Sequence, residues 1–597
     1  MPRRRPWDVR KSTRLRTLIV GIAITALVSV FIVRLADIQV VSAAELNEQS
    51  DARRTMTMPV YGARGDIVDV GGEVLATSVA RWDVAVDPRY VLDVTLGDDS
   101  VITVGAALRR LADITGQDPD ALARAVRGEL EQRPDSQHLL LASGLTVDQY
   151  EQVRLMRSEW SLSYMYISSR PQRTYPLGAV GGNIVGFESA DGEALAGMER
   201  MQDACLAPQD GSRTYERAAD GTEIPGTVRV EELPDDGGTL QLTIDSELQY
   251  SAQEVLEQYR RNYQARSASA IILRADGSVA AIAEAPSVDP NNVTASDPQF
   301  RGSRSFTEAY EPGSTFKTIT LAAMMDAGAV SMDDRLVVPS RYQRGDIRLG
   351  DSVYHPDTRW TPTGILVHSS NVGMVMMAED FERRQLNDYF ERFGFGSQTD
   401  IGFLGEQPVP FRDMAAVDGQ TMANVMFGQG MAVTPIQMAS SYLPFANDGV
   451  RPPIRLIESC TTADGEVITP ELSSPVEVLQ PETAQSMLSM MESVVNEGGH
   501  SHNFELDGYR IAAKTGTAEV ARAGGGGYDP NLWIISATGV FPADDPQYVI
   551  HVMIDRPAPA MRLAGTAPAF HDIVNLLIRH YSIPPSTGEP ADLPVEW

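Results

Sequence analysis

Residues 17–33 read TLIVGIAITALVSVFIV, an apolar run with no charged position. Leu35 and Ala36 extend it past Arg34, so the segment is about long enough to cross a hydrocarbon core of ~30 Å. Arg3, Arg4, Arg5, Arg10, Lys11, Arg14 and Arg16 precede it, against a single acid, Asp8. That basic flank predicts an N-terminal tail (1–16) held in the cytoplasm. A cleaved signal peptide is the competing reading, with Ser42-Ala43-Ala44 as its small-residue site. Its apolar region would be shorter, about 7–15 residues, so an uncleaved membrane helix over 17–36 is expected.

Past a polar, Ala-rich linker at 37–52, the pattern becomes alternating. Residues 55–60 and 82–86 predict strands around the turn-rich Tyr61-Gly-Ala-Arg-Gly-Asp-Ile. Over about 101–160 the spacing is helical, with Val104, Leu108 and Leu111 on one face before Gly116. Thr146-x-x-Gln149 reads as a capping box. Strand-like, Gly-rich sequence then returns up to Asp245. Residues 53–245 therefore predict a mostly β pedestal with a helical insert. They show no nucleophile–base pair and no metal-ligand cluster.

A second domain is expected over 246–583. Residues 246–263 are helical in pattern. Apolar strands at 270–273 and 278–283 flank Asp276-Gly277, a hairpin signal. A second strand pair, 533–540 and 548–554, flanks Pro542-Ala-Asp-Asp-Pro546, and Pro568 opens a last helix through Tyr581. Hairpins at both ends with helices between them predict an α/β (α+β) domain on an antiparallel sheet built from both of its termini. Residues 584–597 are a Pro-rich tail.

Composition narrows the classes. A length of 597 residues suggests three or so domains, and 43% apolar with 22% charged residues is ordinary for globular chains. A net charge of −30 argues against a nucleic-acid binder, which needs a basic face. Two cysteines make neither a disulfide framework nor a zinc cluster. Cys205 and Cys460 lie far apart in sequence and are expected in different domains, as unpaired thiols.

Lysine is the informative residue. The chain has three, Lys11, Lys317 and Lys514, and otherwise uses Arg. A retained Lys marks a position needing a deprotonatable amine or a compact ammonium. In Glu311-Pro-Gly-Ser314-Thr-Phe-Lys317, Pro312 and Gly313 break the preceding structure and Ser314 opens an apolar helix through Ala327, stopped by Gly328. Ser314 and Lys317 fall on one face of it. A neutral amine beside a hydroxyl activates serine as a nucleophile, and burial with a nearby cation is what keeps the amine neutral. In Ala513-Lys514-Thr515-Gly516-Thr517, Lys514 supplies that cation or attracts a substrate carboxylate, Thr515 and Thr517 offer hydroxyl donors, and Gly516 lets a substrate backbone lie close. A P-loop is excluded, because Ala513 precedes the Lys and no glycine frame leads in. The run 524–527 reads as a loop. Between the two lysine motifs, His368-Ser369-Ser370-Asn371 offers Ser369 as a proton relay and Asn371 as a substrate-amide holder. Ser370, between motif residues, is expected to face away. A triad through His355 or His368 competes weakly with Lys317 as base.

The order S-x-x-K, S-x-N, K-T-G is the motif set of penicillin-binding proteins and class A β-lactamases. The chain resembles a class B, high-molecular-weight penicillin-binding protein of the division-specific, FtsI-type branch. The resemblance spans nearly the whole chain: a short basic tail and single anchor, Arg64-Gly-Asp-Ile-Val-Asp69, Arg173-Thr-Tyr-Pro176, Tyr310-Glu-Pro-Gly-Ser-Thr-Phe-Lys317, Phe427-Gly-Gln-Gly430 with Thr434-Pro435, and Lys514-Thr-Gly-Thr-Ala518. It implies a penicillin-binding transpeptidase fold behind a dimerisation-type pedestal. The implied location is the bacterial cytoplasmic (inner) membrane, with the catalytic domain outside. The implied reaction is D,D-transpeptidation of peptidoglycan stem peptides ending in D-Ala-D-Ala. Ser314 is the implied nucleophile, Lys317 the base, and Lys514, Thr515 and Thr517 the carboxylate site, with the oxyanion on the N–H groups of Ser314 and Thr517. β-Lactams would acylate Ser314. No metal or organic cofactor is implied, and a SEDS-type glycosyltransferase and other divisome proteins are the implied partners.

Four other readings compete. A β-lactamase needs a deacylating base, and the nearest Glu-x-x-Leu-Asn match, 382–387, has one residue too many. A β-lactam sensor needs a cytoplasmic signalling region. An elongation-type enzyme shares every motif. A divisome scaffold with dispensable catalysis belongs to a different class, and the intact Ser314, Lys317 and Lys514 argue against an inactive relative.

Overall fold

The computed structural model describes residues 9–42, 55–216, 218, 224, 226–379, 381–522 and 526–597. The start of the basic tail, most of the 37–52 linker and residues 523–525 of the expected loop lie outside them. An α-helix at Val9–Ala36 carries the apolar run, and an 18-residue stretch within Arg14–Val41 has a mean hydropathy of 2.6. By length and composition it is a candidate membrane span.

The chain forms two compact units. The first comprises Met1–Gly62, Ala80–Gln172 and Gln209–Asp235, and the second Ala63–Val79, Arg173–Pro208 and Asp236–Trp597. In the first unit, Trp82–Val86 pairs between Leu139–Leu145 and Met165–Ser169. Helices Val104–Thr115, Pro119–Gln132 and Val147–Glu159 bury Leu108, Leu111, Val126 and Val153 with Val84 and Met165 of these strands. The capping box at Thr146 and Gln149 forms, both halves present. The helical insert is thus interrupted by the strand Leu139–Leu145, whose Leu141, Ala142 and Leu145 are buried.

The second unit holds a five-stranded antiparallel sheet in the order Val279–Ala285, Ser267–Arg274, Tyr548–Asp555, Tyr528–Phe541, Ala512–Ala521. The two hairpins read from sequence form four of its strands, joined where Ser267–Arg274 pairs with Tyr548–Asp555, and Ala512–Ala521 adds the fifth. Both of these strands are almost wholly buried, which explains their continuous apolar text. Helices Ser246–Asn262 and Ala567–Tyr581 cover one face through Leu248, Leu256, Phe570 and Val574. Lys317–Asp326 and Pro481–Glu497 contribute Ile319, Leu321, Met487 and Met491 to the core on the other.

Segments of the expected pedestal return to this second unit. Glu199, fully buried, receives Arg64 Nε and Arg173 Nε at 2.6 Å each. Asp203 takes Arg64 Nη1 at 2.7 Å. Burial, then the charge of Glu199, pushes the neighbouring Glu188 up to about 7. Asp69 accepts from the Ser246 N–H and hydroxyl at 3.0 and 2.7 Å. The Arg64 and Arg173 motifs are therefore a structural charge network. Removing one partner of such a network strands the others, at about 3–5 kcal/mol. Glu199→Gln is expected to lower the melting midpoint by several degrees, read by circular dichroism; an unchanged midpoint would contradict the network's weight.

The same return corrects the cysteine expectation. Cys205 and Cys460 form a disulfide. Both belong to the second unit, where the Gly238 N–H donates to the Cys205 carbonyl at 2.8 Å and Leu240 stands opposite Cys460 in the strand pairing. Distance in sequence misled, because the chain re-enters the unit between them.

Candidate active site

Ser314 lies on a 3₁₀ turn, Gly313–Phe316, that runs into the α-helix Lys317–Asp326. In a 3₁₀ turn residues i and i+3 eclipse, so Lys317 stands directly over Ser314. The turn is held from behind. The Gly313 N–H donates to the Gly428 carbonyl at 2.9 Å, and Tyr310 exchanges two 2.9 Å backbone bonds with Val433. The Tyr442 hydroxyl donates to the Thr315 carbonyl at 2.8 Å, and Thr320 Oγ1 to the Met426 carbonyl at 2.8 Å. The Phe427-Gly-Gln-Gly430 motif is thus the backing of the nucleophile turn.

The Lys514 strand, Ala512–Ala521, passes on the other side. A Cβ on Gly516 would meet Ser536 Oγ at 2.9 Å, the Pro312 carbonyl at 3.0 Å and Thr315 Cγ2 at 3.0 Å. Here the glycine admits the protein's own nucleophile turn, a packing demand within the chain. Thr515 and Thr517 alternate to the less buried side of the strand while Lys514 points inward. Behind Lys514, its cross-strand partner Thr538 bonds His551 Nδ1 at 2.8 Å, and Tyr310 Oη lies 3.1 Å from His551 Nε2. Burial pushes His551 down to about 3, so this ring is a neutral hydrogen-bonding link.

The third motif occupies the turn between helices Pro362–Val367 and Asn371–Met377. Lys317 Nζ donates to the Ser369 carbonyl and lies 3.2 Å from Ser369 Oγ. Ser369 takes a φ of +55°, a left-handed conformation uncommon outside glycine. Ser370 faces away, as the N-cap of Asn371–Met377. His355 bonds Asp351 at 2.9 Å, and His368 stacks on Trp360 at 4.7 Å. Asn387, in the 382–387 stretch, bonds Asp413 and the Met414 N–H.

Asp351 is the residue the sequence reading missed. Its Oδ1 accepts from the N–H groups of Asn371, at 2.5 Å, and Val372, at 3.0 Å, and its Oδ2 from Ser370 Oγ at 2.6 Å. A carboxylate on a helix N-terminus satisfies orphan donors and the dipole together. No local signal marked it, since it caps from 20 residues away.

Both lysines are buried, Lys317 at 0% and Lys514 at 1% exposure. Burial holds the Lys317 amine well below its ordinary range, the Lys514 cation lowers it further, and Asp351 pulls it back up. Burial lowers Lys514 to about 8. Lys317 is therefore the more readily deprotonated of the two buried amines. Among the described residues no group of His, Cys, Asp and Glu is placed to hold a metal ion.

This arrangement has relatives. The family model of the penicillin-binding protein transpeptidase domain matches residues 268–575, and that of the penicillin-binding protein dimerisation domain matches 59–242. Penicillin-binding protein PbpB of Mycolicibacterium smegmatis is 32% identical, covering 96% of this chain and 92% of the relative. The chain belongs to the class B, division-type penicillin-binding proteins. Peptidoglycan D,D-transpeptidase FtsI of Escherichia coli is 29% identical to this penicillin-binding protein, covering 93% of it and 90% of the relative. The crystal structure of penicillin-binding protein 3 from Mycobacterium tuberculosis complexed with aztreonam superposes with a TM-score of 0.69 at 26% identity, covering 90% of this chain and all of that one.

Proposed function

We propose that this penicillin-binding protein is a membrane-anchored D,D-transpeptidase that cross-links peptidoglycan stem peptides in septal wall synthesis through an acyl-Ser314 intermediate. One observation carries the reading: a buried amine, Lys317, one turn from Ser314, held well below its ordinary range by burial and by the charge of a second buried lysine, Lys514. When neutral, Lys317 can donate its two N–H bonds to the Ser369 carbonyl and hydroxyl, which leaves its lone pair for the Ser314 proton. Ser314 Oγ attacks the penultimate D-Ala carbonyl carbon, and the oxyanion rests on the N–H groups of Ser314 and Thr517. Such a pair of donors is worth ~10²–10³ in rate for each member. Ser369 passes the proton to the departing D-Ala nitrogen. Lys514, Thr515 and Thr517 hold the terminal carboxylate beside Gly516, and Asn371 holds the peptide amide. An amine from a second strand then attacks the ester carbon and loses its proton to Lys317, which returns it to Ser314 Oγ as the ester C–O bond breaks. A β-lactam mimics the donor, and its opened ring stays attached, so the acyl-enzyme persists.

In this reading residues 1–16 are the cytoplasmic tail, 17–36 cross the membrane, 53–245 form the pedestal and 246–583 the transpeptidase domain outside the membrane. Glycan strands come from a SEDS-type membrane partner. The test is full-length protein in detergent, incubated with a fluorescent penicillin and digested for mass spectrometry. A lasting one-to-one adduct on the peptide containing Ser314 is expected. Rapid drug turnover would replace the reading with a β-lactamase, and folded protein without an adduct would replace it with a scaffold.

A further inference from the structure

The Pro-rich tail ends inside the second unit. The Val595 carbonyl accepts from the Thr361 N–H at 3.2 Å, and the Thr361 hydroxyl donates to the Pro594 carbonyl at 2.5 Å. Glu596 pairs with Trp360 as an antiparallel bridge, which extends the two-stranded sheet of Leu336–Val338 and Thr358–Trp360. Trp597 closes the seat. Its backbone N–H donates to Arg359 and its indole N–H to Leu336, each at 3.3 Å. The guanidinium groups of Arg335 and Arg359 lie 5.5 and 5.1 Å from its ring centre. Leu593 and Val595 pack on the core. The seat is cut for backbone: a Cβ on Gly364 would stand 2.1 Å from the Val595 carbonyl oxygen.

From this seat, contacts run to the Ser369 turn by two routes. Thr361, bonded to the tail, also caps helix Pro362–Val367, which ends at His368. Trp360 is 5% exposed; its ring stacks on His368 and tilts against His355 at 4.6 Å. His355 bonds Asp351, and Asp351 caps the helix that begins at Asn371. Ser369 sits between these two fixed ends with its left-handed backbone, a conformation that persists only where the surroundings impose it. A segment needed only to cover core surface would not have to grip both residues that carry these routes.

We propose that residues 593–597 are a strap that positions Ser369 and Asn371 for acyl transfer, acting through Thr361, Trp360, His368 and the His355–Asp351 pair. The inference rests on the acyl-transfer reading above. Misplacement of reacting groups by about 1 Å costs about 10²-fold. Two full-length-derived variants test it: a chain ended after Asp592, and Trp597→Ala. Quenched-flow labelling with a fluorescent penicillin separates the acylation rate constant from the dissociation constant of the preceding complex. The shortened chain is expected to lose about ten- to a hundredfold in the rate constant, with the dissociation constant nearly unchanged. Trp597→Ala is expected to lose less, in the same way, and a peptide of residues 588–597 added in trans should restore part of the shortened chain's rate. Wild-type protein is the reference: no adduct there would sink the acyl-transfer reading. Equal rate constants in wild type and variants, or a loss that merely tracks the unfolded fraction by circular dichroism, would overturn the strap alone. If the shortened chain fails to fold, Trp597→Ala decides.

Discussion

Ser314→Ala is expected to form no penicillin adduct, and Lys317→Met to form it about 10²–10⁴-fold more slowly than wild type. Replacing serine removes the only atom that bonds the acyl group. Replacing the lysine leaves a hydroxyl with no base one turn away, and Lys514, at about 8, is largely a cation at pH 7. His368 is stacked on Trp360, and His355 is bonded to Asp351. Methionine keeps the length and the apolar stem that fill this fully buried position, so loss of fold is not the expected cause. Quenched-flow samples resolved on a denaturing gel give both rates, with melting curves alongside. A Lys317→Met chain that acylates within a few-fold of wild type would move the base elsewhere in the cleft.

The acylation rate should follow a bell in pH, with its alkaline limb near pH 8. The acid limb belongs to Lys317, which takes the Ser314 proton only when neutral. As pH rises through its depressed value, the neutral fraction and the rate both rise. The alkaline limb belongs to Lys514, lowered by burial to about 8. Above that value its cation is lost, together with the attraction for the carboxylate and the field that holds Lys317 neutral. Two variants separate the limbs. Lys514→Met should abolish the limb near pH 8 and move the acid limb upward, because removing a neighbouring cation favours protonated Lys317. Asp351→Asn should move the acid limb downward, because it removes the charge that favours the ammonium. Limbs that stay in the same place in all three proteins, or a rate that shows no limb near pH 8 in wild type, would refute the lysine-pair account.

Elements whose pattern is local were legible in the chain. The Asp276-Gly277 turn and the capping box at Thr146 rest on interactions within a few residues, and each forms. Two of the three candidate motifs were marked by the scarce lysines inside them, Lys317 and Lys514, and the third, Ser369 to Asn371, by its place between them. What escaped was set by long-range return of the chain. Cys205 meets Cys460 only because Arg173–Pro208 folds into the second unit. Asp351 reads as a surface acid until the helix it caps is in place. The 593–597 segment reads as part of a Pro-rich tail, and only its pairing with Trp360 reveals a seat. Gly516 also meets the turn that carries Ser314, a packing demand from a distant segment that strand text cannot show.

The buried lysines have a last consequence for an enzyme that hands acyl groups to amines. Its two lysines beyond Lys11 are enclosed, and every other basic side chain past residue 11 is Arg or His, neither of which offers a free primary amine. The surface around its own reactive ester therefore holds no ε-amine that can intercept the intermediate and tether the enzyme to the polymer it is building. An amine-directed reagent applied to folded protein should label the extreme N-terminal region and leave everything beyond residue 11 unmodified, an inertness written into the choice of Arg for nearly every exposed cation.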